Sequence, residues 1–376
     1  MFYTQAYNVG LVRPLFWTYG GYLHIFPRLI ADLTQLVPLV YAPLLFNLVA
    51  LTLQILPAQM LLSARLSAIG ALPARLILAL LYLCLPNSYE IHANLTNVHP
   101  RLATIAFLVI LSAPPGSAAS RAFDYLAVLM CGLTGPYAIM LTPSALLAWR
   151  KSRARWRFVL TSTLAACAGI QGFLILITGP SHRMKEALGA NFALFCEILA
   201  DHVFLGTLMG SNILVHNHPI AAFVAASLGI AVLLYGLIRG PLHLKLFIIF
   251  ASLVLACALA WPMPWTIISG VPTPTRLPGW PAMALGVDQR YWYLPMLAFV
   301  ASLVWLLRQT TPAVLHLGAI ICLALMPFGV VRDWRQPPRV DMHFEEYAEK
   351  FRQAPRGTAL VIPLNPPGWS MRLVKH

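Results

Sequence analysis

The sequence predicts an all-α polytopic membrane protein, and three observations carry that prediction. Of 376 residues, 59% are hydrophobic and only 10% are charged, where a soluble domain carries roughly 25%. Several apolar runs approach the ~20 residues that cross a hydrocarbon core as a helix. The basic residues behind the net charge of +14 lie between those runs, which is how membrane proteins signal orientation. That placement sets nucleic-acid binding aside and makes membrane lipid the expected partner.

The apolar spans fall at 36–57, 71–86, 98–113, 122–149, 158–179, 219–238, 244–261, 291–307 and 313–331. One set of short loops (63–70, 114–121, 149–157, 239–245 and 308–312) holds ten Lys and Arg in 37 positions. The opposite set (87–101, 180–218 and 262–290) holds five in 83. The first set is therefore expected in the cytoplasm. Strict alternation of nine spans would put the block Arg150, Lys151, Arg153, Arg155 and Arg157 outside, so one segment between 98 and 149 must fail to cross. Either 98–113 dips in and returns, or 122–149 breaks at Gly132-Leu-Thr-Gly135-Pro136. Proline removes a backbone donor and glycine loosens the chain. Both choices give about eight net crossings plus one broken or re-entrant segment, with both termini extracytoplasmic.

Three regions follow: an interfacial N-terminal segment 1–35, a multi-span domain 36–331 and an extracytoplasmic tail 332–376. Within the first, Leu29, Ile30, Leu33, Leu36 and Val37 share one face of a helix over 27–37. Arg28 and Asp32 form an i,i+4 pair on the other. Nothing in 1–35 reads as a signal peptide or a span able to carry it outside, so an upstream helix and loop are expected. The tail contains 13 of the chain's 38 charged residues. It predicts a short amphipathic helix through Phe344, Tyr347, Ala348 and Phe351, then a strand over Thr358–Leu364. A turn at Pro366-Pro-Gly-Trp369 and a second strand over Ser370–Val374 complete a small α+β unit.

Eleven of the twelve acidic residues fall on the outer side or at its boundary, and only Asp124 lies at an inner end. Chemistry that needs a carboxylate is thus expected outside. The richest stretch is Asn87-Ser-Tyr-Glu90-Ile-His92-Ala-Asn94-Leu-Thr-Asn97-Val-His99-Pro-Arg101. Its acid, histidines and amides could bind a sugar hydroxyl, a phosphate or a metal; the plainer reading is a polar loop in which Asn97 caps the next helix. A second stretch, Gly286-Val-Asp288-Gln-Arg290-Tyr-Trp-Tyr293, offers Arg290 as a planar fork for phosphate, or simply an aromatic belt. The Pro- and Trp-rich loop before it, 262–287, could roof a groove. His216-Asn-His218 has no carboxylate beside it, and the six cysteines, with Cys196 in a loop, lack ligand spacing. No cofactor is expected; a divalent metal could join, though no motif supports one.

The chain resembles a family of bacterial polytopic proteins similar to the C-type glycosyltransferases. The resemblance rests on Gly21-Tyr-Leu-His24 with Pro27-Arg28, Glu90 with Asn94-Leu-Thr-Asn97, Gly132-Leu-Thr-Gly135-Pro136, Arg290-Tyr291 and Ile362-Pro-Leu-Asn365-Pro-Pro-Gly368-Trp369-Ser-Met371. It implies a bacterial plasma-membrane enzyme that takes sugar from a polyprenyl-phosphate donor on the outer face. The family's catalytic acid usually sits in the first outer loop, which this sequence lacks. Glu90 is then the best-placed base. Arg28, Asn94, Asn97, Arg101, Asp288 and Arg290 are the expected substrate and lipid-phosphate contacts. A transporter or flippase and a non-catalytic envelope-assembly protein are the alternatives, the first weakened by spans nearly free of acids.

Overall fold

The computed structural model describes residues 1–376 apart from 183–186, 212–217, 263–264, 269–270, 275–277, 286–288, 309 and 336–337. It is a helical membrane protein with little sheet. Among the described residues six helices are long and apolar enough to cross a bilayer, and three more are apolar but shorter.

The chain starts with α1 (Phe2–Val9), α2 (Val12–Leu15), a two-residue hairpin pairing Tyr19 with Tyr22, and α3 (Ile25–Leu33). Helix α3 turns the expected polar face inward. Arg28 and Ala31 are buried, while Leu33 and Leu36 are 59% and 80% exposed. An apolar face left bare by protein is what an interfacial helix presents to lipid. The expected Arg28–Asp32 pair is not formed: Arg28 donates to Gln5 Oε1 at 2.6 Å and lies over the Phe2 ring. The guanidinium is enclosed beneath α1, and Asp32 acts on it only as a nearby charge without a direct ion pair.

Helices α4 (Ala42–Leu62), α5 (Leu72–Leu83) and α6 (His99–Leu111) follow. Between 98 and 149 the structure shows the expected break: α7 (Ala118–Gly132) and α8 (Tyr137–Ser152) are separate helices. The break is built. Gly135 takes a left-handed φ of 85°, open to glycine without strain. The freed backbone pairs with the N-terminal segment: Ile25 N donates to Leu133 O at 3.1 Å and Gly135 N to Leu23 O at 2.9 Å. Irregular backbone at membrane depth survives only when protein satisfies it, and here residues 23–26 do so. Gly132 also lets α7 approach α9 (Arg155–His182), since a Cβ there would sit 2.7 Å from that of Cys167.

At the opposite end of these helices the basic residues close helix ends. Arg65 holds the fully buried Asp124 in a fork at 3.0 and 2.7 Å and also donates to Ala113 O. Arg157 donates to Ser112 O, and Arg75 to Leu61 O and Ser63 O. Cations on the last carbonyls of a helix are favourable on dipole grounds alone.

Residues 180–218 were expected as loop, with Cys196 in it. Instead α10 (Phe192–Ile198), a π-helical turn (Leu199–Leu205) and α11 (Gly206–Met209) run continuously, and Cys196 is buried. Glu197, Asp201 and His202 interrupt the apolar run and hid it. His216 and Asn217 lie outside the described residues. Helices α12 (Pro219–Arg239) and α13 (Leu242–Ala260), short α14 (Gly279–Leu285), α15 (Tyr293–Leu306) and α16 (Ala313–Asp333) complete the bundle. The described parts of 262–287 include a four-residue antiparallel strand pair, Trp265–Ile268 with Val271–Pro274.

The tail forms α17 (Phe344–Gln353) and a hairpin of Ala359–Leu364 with Trp369–Val374, in which Ile362 faces Met371. Phe351, Ile362, Met371 and Leu373 bury against Tyr3 and Ala42. Asn8 binds the hairpin edge by donating to Arg372 O and accepting from Val374 N. Both termini therefore meet at the N-terminal end of α4, away from the basic loops.

Candidate functional site

Helices α5, α6 and α15 have 12, 13 and 14 residues. At about 1.5 Å per residue they reach roughly 18–21 Å, short of the ~30 Å of a hydrocarbon core. Each has a basic loop at one end, and at the other they deliver the loop 84–98 and the turn 289–292. Longer neighbours continue past them: the spans Leu39–Leu62 and Arg155–Thr178 each have 24 residues, about 36 Å of helix. Gln54, some 18 Å along α4 from Ala42, bonds to the loop through His92 and through the Ala93 amide. The polar loops thus form a recessed floor between taller helices.

Glu90 stands on this floor. Its carboxylate accepts from Asn97 Nδ2 at 3.0 Å, from the Arg290 backbone amide at 3.2 Å and from the Arg290 guanidinium at 2.5 Å. The side chains of Arg290 and Glu90 are 16% and 20% exposed. The Arg290 guanidinium also lies 4.8 Å from the centre of the Tyr291 ring. Two segments 200 residues apart therefore meet as an ion pair, and Glu90 is not the solitary acid the loop suggests.

A network fixes the Glu90 backbone. Asp333 accepts from the Asn87 amide at 2.6 Å, Asn87 Oδ1 accepts from Gln289 Nε2 at 3.1 Å, and Gln289 Oε1 accepts from the Glu90 amide at 2.7 Å. Asp333 also accepts from the Ser211 amide and hydroxyl, which ties α11 and α16 to the same loop. Asn87 has a φ of 51°, a left-handed conformation that asparagine tolerates better than most residues.

The other expected contacts divide. Asn94 uses both polar groups on its own loop: Oδ1 accepts from the Thr96 and Asn97 amides, and Nδ2 donates to Glu90 O. Asn97 does not cap α6, whose N-cap is Val98; its amide goes to Glu90. Arg101 is 2% exposed and lies under the floor. It donates to Tyr82 and Tyr293 hydroxyls at 2.9 and 3.3 Å and to Ile91 O, and it contacts His92 Nδ1. It cannot touch a ligand there, but it supplies a fixed positive charge close beneath. Arg28 sits apart, beyond the buried pair His24 and His99, whose ring centres are 6.0 Å apart. Asp288 lies outside the described residues.

His92 has its tautomer set by its neighbours. Gln54 and Arg101 supply N–H donors to Nδ1, leaving Nε2–H to donate to Ser88 Oγ at 2.8 Å. Burial, with Arg101 beside it, pushes the ring down to about 4. His24 is pushed down to about 3, chiefly by burial. Among the described residues no three His, Cys, Asp or Glu side chains gather as a metal would require.

Gln54, Tyr82 and Asp333 went unnoticed as members of this site, while Asn87, Gln289 and Tyr293 stood in the two polar stretches without being named as site residues. Gln54 carried a readable signal, since an amide in an apolar span is a functional flag, although Asn47 shares that span. No protein-family model, curated protein or solved structure matches the chain.

Proposed function

We propose that the protein transfers a sugar from a polyprenyl-phosphate donor to a hydroxyl acceptor at the extracytoplasmic face of a bacterial plasma membrane. In this reading α4, α5, α6, α9, α12, α13, α15 and α16 make eight crossings. Helices α7 and α8 form a hairpin that returns to the cytoplasmic side, and both termini and the tail lie outside. The support for the orientation is that the floor around Glu90 caps the ends of α5, α6 and α15 opposite the basic loops.

The observation that carries the chemistry is the Glu90–Arg290 pair: a mostly buried carboxylate beside a mostly buried guanidinium, each still reaching solvent, in a recess walled by apolar helices. Glu90 takes the proton of the acceptor hydroxyl as its oxygen bonds to the anomeric carbon. The carbon–oxygen bond to phosphate breaks with its electron pair, and the phosphate leaves as an anion. Arg290 holds the charge that develops on it, and Arg101 strengthens that field through the loop. The apolar faces of the long helices give the polyprenyl chain a place to lie.

The test is transfer of labelled sugar from a polyprenyl-phosphate donor by purified protein in nanodiscs, with wild type and Glu90→Gln matched for thermal stability. Loss of a general base lowers turnover by about 10²–10⁴-fold. Undiminished transfer by Glu90→Gln would remove Glu90 from the mechanism.

A further inference from the structure

We infer that His202 is a positioning residue: from outside both polar segments, it sets the register in which Glu90 meets Arg290. The proposal rests on the transfer reading above and adds to it the residue that aligns the base with the phosphate contact.

His202 reaches both segments at once. Its carbonyl oxygen accepts from Asn87 Nδ2 at 3.0 Å, which holds the start of the loop 84–98. Its ring bonds through Nε2 to Ala284 O at 3.2 Å and stacks on Trp292, with 5.0 Å between ring centres and 5° between planes. A carbonyl only accepts, so Nε2 carries the proton. Ala284 and Trp292 stand on either side of Arg290 in the chain, so the ring grips that segment before and after it.

The wiring between the two segments has a fixed direction. Glu90 N–H donates to Gln289 Oε1, Gln289 Nε2 donates to Asn87 Oδ1, and Asn87 Nδ2 donates to His202 O. The run begins at a backbone N–H and ends at a backbone carbonyl, so neither amide can be turned round without losing a bond. Asn87 and Gln289 are 3% and 2% exposed, where a lost bond is costly. The local backbone is shaped for this contact. His202 lies in the π-helical turn Leu199–Leu205, a rare geometry that is frequent at functional sites. Gly206 follows it, and a Cβ there would come within 2.5 Å of Asp201 O and 2.7 Å of Asn87 Nδ2. Glycine is what lets the turn approach the loop.

Register matters because the two groups act on different reactants. The donor phosphate travels with Arg290 and the acceptor hydroxyl with Glu90, and a misplacement of about 1 Å costs about 100-fold in rate. Donor binding changes little under such a shift, since Arg290 itself is intact.

Cross-linking reads the register without turnover. In nanodisc-held protein free of native cysteines, Glu90→Cys and Arg290→Cys place two thiols where the ion pair stood, and dibromobimane fluoresces when it joins them. With His202 in place joining is fast; His202→Ala slows it about ten-fold. His202→Phe keeps the stack on Trp292 and His202→Gln keeps a donor for Ala284 O, so each falls between, and they carry the test if the alanine variant misfolds. Asn8→Cys with Val374→Cys replaces a bonded pair between the N-terminal segment and the tail; it joins at one rate in every His202 variant. Unchanged joining of the 90–290 pair in all three variants, or equal slowing of both pairs, overturns the proposal. In the transfer assay with native Glu90 and Arg290, the same His202 variants lower kcat by about 10- to 100-fold at an unaltered donor KM; a raised KM at constant kcat overturns the proposal as well. A protein that shows the cross-linking order and transfers no sugar refutes the transferase reading alone. One that transfers sugar while its 90–290 joining ignores His202 refutes the positioning alone.

Discussion

His92 illustrates how closely single residues set this floor. Its two nitrogens serve three groups, from α4, α6 and its own loop, and Trp334 packs on its ring at 5.1 Å. The arrangement needs a neutral ring, because protonated Nδ1 could accept from neither Gln54 nor Arg101. The folded ring titrates near 4, whereas an unfolded chain's histidine titrates near 6.5. Between those values the unfolded chain binds the extra proton, so stability is full above about pH 6.5 and declines as pH falls toward 4. His24, held near 3, adds to the same slope. The melting temperature of wild type should therefore fall between pH 7 and pH 5, and that of His92→Gln should fall less. Equal slopes in both proteins would show that His92 is not the neutral hub described. Little of this was legible in sequence. The loop's composition marked it as polar, but its partners are non-local: Gln54 and Tyr82 come from apolar spans, and Tyr293 read equally as part of an aromatic belt.

At the scale of elements, the chain's punctuation was readable and its purpose was not. Two glycines and a proline foretold a break at 132–136, because their backbone preferences are local. That the break exists to pair with residues 23–26 is a non-local fact, with partners more than 100 positions apart. Helix 192–209 escaped notice because Glu197, Asp201 and His202 break its hydropathy; His202 is half-buried, and its ring bonds to Ala284 O while Asn87 donates to its carbonyl. Arg28 read as surface and is buried, since α1 folds over it. The break makes a quantitative prediction at Gly132. Alanine there would press its Cβ to 2.7 Å from Cys167, an overpacking that costs about 1–3 kcal/mol. In a Cys167→Gly background the same substitution should cost much less, a coupling that a double-mutant cycle on thermal stability measures. A neutral Gly132→Ala would mean that α7 and α9 are not in this contact.

For the whole molecule, the segregation of charge was the most informative reading of the sequence. Basic loops at 63–70, 114–121, 149–157, 239–245 and 308–312 were grouped from composition alone, and in the structure α5, α6 and α15 each separate such a loop from the Glu90 floor. The same helices explain why Glu90 and Arg290 meet: α6 and α15 both stop at one level and place their preceding turns side by side. Sequence offered the two segments separately because no local pattern encodes a contact across 200 residues. Capping of helix ends by Arg65, Arg75 and Arg157 would occur in either orientation, so side must be measured. In a background free of native cysteines, Thr96→Cys, Ser370→Cys and Ser152→Cys place single thiols at exposed positions on the floor, the tail and the basic loops. With a membrane-impermeant thiol reagent, the first two should label in intact cells and the third only after permeabilisation. Labelling of Ser152→Cys in intact cells, with Thr96→Cys and Ser370→Cys protected, would contradict the extracytoplasmic site.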